Sequence, residues 1–122
     1  METQINNYKE KRWLKLRESA LRRDKYMDAY LKRYGKHKAA EVVHHIFPAE
    51  DFPEYQFCLW NLISVQRKTH NLFHDRNSNK LTKAGVELLV RTARRNQISI
   101  PTGYIKAQKP EKKNRYLYDP RP

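Results

Sequence analysis

The 122-residue sequence predicts an α+β fold: two short strands and a short helix between longer flanking helices, followed by an irregular basic tail. Three observations carry this reading. Apolar residues recur at helical spacing before residue 35 and after residue 82, but the runs EVVHHIF (41–47) and LISV (62–65) are short and rich in β-branched residues, as strands are. Charge is segregated. Residues 1–40 carry 12 basic and 5 acidic side chains, residues 41–81 carry 4 and 5, and residues 82–122 carry 10 and 3. Finally, four of the five histidines (His44, His45, His70 and His74) fall in the nearly neutral middle. A purely electrostatic binder has no reason to separate its chemistry from its charge in this way.

The net charge of +13 points to a polyanionic partner. The length fits one domain that buries roughly 65% of its unfolded surface. We expect that domain over 1–98, with a core unit at about 41–76 and a basic Pro/Tyr-containing tail over 99–122. A mean hydropathy of −1.01 and 32% charged residues predict segments that order only on binding. No apolar run approaches the ~18 residues of a membrane helix. The first 13 residues show no signal-peptide core, and the basic stretches lack the apolar face of interfacial helices. The single cysteine, Cys58, allows no internal disulfide and no cysteine-based zinc site. Secreted disulfide scaffolds and membrane proteins are excluded, and the expectation is a cytoplasmic protein with no membrane partner.

Along the chain, Trp13, Leu16, Ala20, Met27, Leu31 and Tyr34 share one helical face over about 9–34, and Lys15 and Arg22 lie mostly opposite. Asp24 is the expected break, capping a second helix. Gly35 and Lys36-His37-Lys38 end the segment. Pro48, Pro53 and three acids make 48–59 a loop, with Glu50 and Asp51 keeping it soluble. Gln66 to Asp75 contains no breaker and predicts a short helix. Asn77-Ser78-Asn79 is a turn. Thr82 caps a helix over about 83–96 that buries Val86, Leu89, Val90 and Ala93. From Ser99 onward, prolines and Gly103 argue against regular structure, and this tail is expected to embrace a partner.

Histidines therefore stand at both ends of a strand–loop–strand–helix unit. His44 and His45 are adjacent on a strand and point to opposite sides, so they do different jobs. His70 and His74 are spaced i, i+4 on the short helix and share a face on which two imidazoles grip one metal ion. A third imidazole from the neighbouring strand gives three protein ligands and an open position, the mark of a catalytic site.

With Asn61 added, the sequence resembles the HNH endonuclease family, whose core is a ββα-metal (His-Me) finger. The matching residues are VHHIFP at 43–48, WNLISV at 60–65 and THNLFHDR at 69–76, and WLKLRESALRRDKY resembles the segment preceding the motif in phage-type members. The resemblance spans roughly Trp13 to Gly85. The separations of 16 residues from His45 to Asn61, 9 from Asn61 to His70 and 4 from His70 to His74 are similar to those of the colicin DNase toxins, which use three histidine ligands.

The resemblance implies a role for each residue. His45 is the general base, and Asn61 tethers the inter-strand loop and so orients that base. His44, His70 and His74 are ligands of one divalent ion. Imidazoles favour Zn, Ni, Co or Mn, and Mg with water ligands stays in the set. An imidazole ordinarily titrates near ~6.5, which suits a base at neutral pH. Many family members brace the finger with a structural zinc on two CxxC pairs. The aligned positions here are Asp28, Leu31, Gln66 and Thr69, so no structural zinc is expected, and apolar packing around Trp13, Leu31, Phe57 and Trp60 is expected in its place.

The implied activity is metal-dependent DNA hydrolysis. Double-stranded DNA is the partner, and Arg67, Lys68, Arg76, Lys15 and Arg22 are candidate phosphate contacts. Phage genome packaging or processing beside a terminase is a context the family suggests. The competing readings are a non-catalytic nucleic-acid-binding module on the same scaffold and an RNase.

Overall fold

The computed structural model describes residues 2–108, so the expectation for the tail over 109–122 lies outside the described residues. The structure is α+β. Its helices are α1 (Glu2–Arg23), α2 (Ala29–Lys32), α3 (Arg67–His70), α4 (Lys83–Asn96) and α5 (Tyr104–Ala107), and its strands are β1 (Val42–His45) and β2 (Leu62–Val65). The strands pair antiparallel, with Val42 opposite Val65 and His45 opposite Leu62. Two 3₁₀ turns, Pro53–Tyr55 and Leu59–Asn61, shape the long loop between them. Among the described residues, no helix is long and apolar enough to cross a membrane.

The N-terminal periodicity does yield two helices, but the cap lies four residues later than expected. Lys25 and Tyr26 reverse the chain with φ of 57° and 59°, and Asp28 caps α2 by accepting the Leu31 amide at 2.7 Å. Asp24 is unavailable because Arg23 forks onto both its oxygens at 2.9 Å and the Ser64 amide donates to it at 3.0 Å. Arg23 also donates to the carbonyls of Leu59 and Leu62. This pair thus fastens the end of α1 to β2.

The brace expected from apolar packing is instead a carboxylate. Asp28 is fully buried, and its second oxygen accepts the Gln66 amide at 2.8 Å. Two of the four aligned positions are thereby joined to a third. Of the four residues expected to pack here, Leu31 is in the core and Trp60 packs against it. Trp13 stacks on His45, Arg12 covers the Phe57 ring, and Trp60 packs against Phe47 and Tyr55.

The helix expected over 66–75 is a single turn, α3, which ends at His70. Beyond it the Leu72 and Phe73 amides donate to the carbonyls of Thr69 and His70, three residues back instead of four, and the Leu72 and Phe73 carbonyls accept from the Thr82 hydroxyl and amide. His74 lies instead in a β-bridge with Leu81. Thr82 caps α4 as expected, accepting the Gly85 amide at 3.2 Å. The buried face is rotated, with Gly85, Leu88 and Thr92 joining Leu89 and Ala93 while Val86 and Val90 are only half-buried. Gly85 explains the rotation: α4 approaches so closely that a Cβ there would collide with the Phe73 carbonyl. The core, centred on Phe47, Phe73, Val65, Leu81 and Leu89, lies between this helix and the sheet. Residues 99–108 are not wholly irregular, since α5 forms after Gly103 turns with φ of 86°.

Candidate active site

Strand alternation separates the two adjacent histidines. His44 is fully buried, its ring 4.6 Å from that of Phe73. His45 faces the other way and stacks on Trp13 of α1, with centroids 5.0 Å apart and planes 20° from parallel. Trp13 is therefore half-buried against a histidine, not a core residue as its helical spacing suggested.

The rings of His44, His70 and His74 lie 5.1–5.5 Å apart. One ligand nitrogen from each falls within 4.8 Å of the others. His70 and His74 meet although they are not on one helix: α3 carries the first and the Leu81 bridge carries the second. Both ring nitrogens of His44 and Nδ1 of His74 are buried with no hydrogen-bond partner. Such orphans are rare in folded proteins and call for a missing partner. Burial pushes the His44 imidazolium well down, and His74, His70 and His45 push it further. Burial also lowers His70, helped by Arg67. His74 is lowered by burial and by His70, against a hydrogen bond with the Asn79 backbone that raises it. All three are therefore held as neutral imidazoles, the form that offers a lone pair to a cation. Three convergent neutral nitrogen donors fit a divalent transition ion.

His45 Nε2 lies 3.0 Å from the Gln56 carbonyl oxygen. A carbonyl only accepts, so Nε2 bears the proton and Nδ1 keeps the lone pair. Asn61, fully buried, clamps the loop that supplies this carbonyl. Its Oδ1 accepts the Phe47 amide at 2.6 Å, and its Nδ2 donates to the carbonyls of Phe47 and Tyr55 at 3.1 and 3.2 Å.

A cleft of about 560 Å³ opens over these groups and is lined by His44, His45, His70 and His74. Glu50 and Asp51 of the loop also line it. Tyr104 of α5 donates to Asp51 at 2.7 Å, and burial together with that carboxylate raises the tyrosine hydroxyl far above its ordinary range. Arg67, Lys68 and Arg76 are exposed beside the cleft but do not line it, whereas Lys80 does. Lys15 and Arg22 lie on α1, bordering a separate shallow depression, and Arg22 pairs with Glu18 at 3.7 Å. Sequence reasoning missed Trp13, Gln56, Asn79, Lys80 and Gln108 as neighbours of the site. The only available signal was the turn motif around Asp75, whose carboxylate accepts the Ser78 amide and hydroxyl and so shapes the loop behind His74.

Neither a family model nor a curated protein matches the sequence. Among solved structures, the chain is similar to the HNH endonuclease of the deep-sea thermophilic bacteriophage GVE2, determined with manganese ion. The likeness covers 57% of this chain and 77% of that one, with 24% identity and a TM-score of 0.51. The chain is thus similar in fold to an HNH endonuclease.

Proposed function

We propose that this chain is a metal-dependent endonuclease that hydrolyses phosphodiester bonds in double-stranded DNA with His45 as general base. The observation that carries the reading is the convergence of three imidazoles, with both ring nitrogens of His44 and Nδ1 of His74 unpaired, beside a fourth histidine of fixed tautomer in the same cleft. The manganese in the structurally similar phage endonuclease and the net charge of +13 agree with it. His44, His70 and His74 would hold one divalent ion, which when bound supplies Lewis-acid stabilisation of charge developing on the phosphate.

The remaining work falls to the chain itself. His45 Nδ1 accepts the proton of the attacking water, and the Gln56 carbonyl stabilises the imidazolium through Nε2–H. The Trp13 face limits ring rotation. Asn61 acts as a positioning residue by holding the start of the loop at Phe47 and the carbonyl of Tyr55, the residue before Gln56. Lys80 offers a cation at the cleft, and Arg67, Lys68 and Arg76 extend the positive surface around it.

The test is plasmid nicking by metal-stripped protein with Mg, Mn, Ni, Co and Zn restored one at a time. We expect metal-dependent cutting that falls about 10²–10⁴-fold in His45→Ala. Tight duplex binding with no cutting under any metal would favour the binding-module reading. Cutting confined to RNA would favour the RNase reading.

A further inference from the structure

A second groove, about 510 Å³, lies between α4, the α1–α2 junction and β2, and shares no lining residue with the histidine cleft. Its volume is that of a small-ligand site. Arg33 from α2's end and Arg91 and Arg95 from α4 line it. None of the three has an ion-pair partner among the described residues, and the Nε of Arg91 is buried with no hydrogen bond at all. The only carboxylate in the lining, Asp24, is already held by Arg23. An apolar wall of Leu59, exposed at 38%, with Trp60 and Ile63 completes the lining. Three unneutralised guanidiniums beside an apolar wall ask for a ligand that is anionic at one end and flat and apolar at the other.

We propose that this groove binds a phosphorylated nucleoside, with Arg33, Arg91 and Arg95 on the phosphate and the Leu59–Trp60–Ile63 wall against the base. Guanidinium forks match phosphate oxygens pairwise. An acidic peptide would offer carboxylates without a planar body, and it would need a broader surface than this concavity to bind stably. The ligand is either a free nucleotide or one unit of a nucleic-acid strand. Because the groove lies apart from the histidines, this proposal stands or falls independently of the nuclease reading.

The experiment is a titration of the full chain with deoxyadenosine monophosphate in EDTA at ~0.15 M salt, followed by calorimetry and by the two indole N–H signals in NMR. The chain has two tryptophans, Trp13 and Trp60, so each wall reports separately. We expect saturable binding that moves the Trp60 signal and leaves Trp13 in place. Inorganic phosphate should bind more weakly, and Arg91→Gln/Arg95→Gln should weaken nucleotide binding about tenfold or more. Should that double variant fail to fold, Arg33→Gln and Arg95→Gln, both at exposed side chains, should each weaken binding severalfold. A short oligodeoxyadenylate that displaces the nucleotide assigns the site to a strand, and one that does not assigns it to free nucleotide. An unmoved Trp60 signal, unchanged affinity in the arginine variants, or equal binding of inorganic phosphate or polyglutamate peptide would overturn the proposal.

Discussion

Two buried polar clusters lie beside the sheet, and they are built on opposite principles. Around Asp28, each carboxylate oxygen has a backbone amide, one from Leu31 and one from Gln66. Around His44, three histidines meet, and both ring nitrogens of His44 and Nδ1 of His74 are left unpaired. The first cluster satisfies its polar atoms and joins segments 38 residues apart. The second leaves atoms bare that folding normally pairs, at a cost of about 1–3 kcal/mol each. A protein keeps such a cost where a function uses the bare atoms. The two polar knots thus differ in their hydrogen-bond accounting: the fold satisfies one and leaves the other bare.

The strongest way to break the comparison is Asp28→Asn. The side chain keeps its shape, but its amide group presents a donor to a buried donor, so one of the two backbone amides loses its acceptor. We expect a loss of about 2–4 kcal/mol in unfolding free energy. That is a large share of the ~5–15 kcal/mol typical of a domain. A denaturant melt within about 0.5 kcal/mol of wild type would mean that the carboxylate is not the brace.

The histidine cluster should behave in the reverse sense. His44→Leu exchanges two unpaired buried nitrogens for an apolar side chain beside Phe73, so the metal-free variant should be as stable as wild type or more so. Added ion at ~100 times its Kd should stabilise wild type by about 2.7 kcal/mol and leave the variant unchanged. In EDTA the wild type should still melt cooperatively, because the Asp28 brace requires no metal. Equal stabilisation of both proteins would remove His44 from the ligand set, and loss of the cooperative transition in EDTA would show that the fold depends on an ion.

The contrast also explains what could be read from the sequence. The strands and the Thr82 cap follow from short-range pattern; His44, His70 and His74 do converge, but the Leu81 bridge and not a shared helix face brings His74 to the other two. The cap at Asp28 does not follow from pattern, because Asp24 is an equally good capping residue until Arg23 and the Ser64 amide, the latter 40 residues away, occupy it. The length of α3 was misjudged for a similar reason. Nothing local stops the helix at His70, and the competing acceptors are engaged by Thr82. Trp13 has the same helical spacing as a core residue, and only the pairing of α1 with β1 shows that its ring meets His45. Tyr104 and Gln108 carried no periodic signal at all. Each engages one distant partner, Asp51 and the Leu81 amide.

The smallest effect, and the sharpest discriminator, is pH. Burial lowers the imidazoles of His44, His70 and His74 in the folded state, helped by neighbouring histidines at His44 and His74 and by Arg67 at His70. In the unfolded chain they titrate near ~6.5. Between those values the unfolded state binds more protons than the folded one, so unfolding free energy falls as pH falls. The contribution is intact above ~6.5 and is lost progressively below it, toward the lowered folded values. Urea melts of metal-free wild type should therefore show a lower midpoint at pH 5 than at pH 7.5. His44→Leu should lose less over the same interval, because its most buried titrating group is gone. Asp28→Asn should keep the wild-type dependence while melting earlier at both pH values, since its defect is an unpaired amide and not a proton. If His44→Leu instead retained the full pH dependence, the histidine cluster would not be the part of the fold that resists protonation, and the division between the two polar knots would fail.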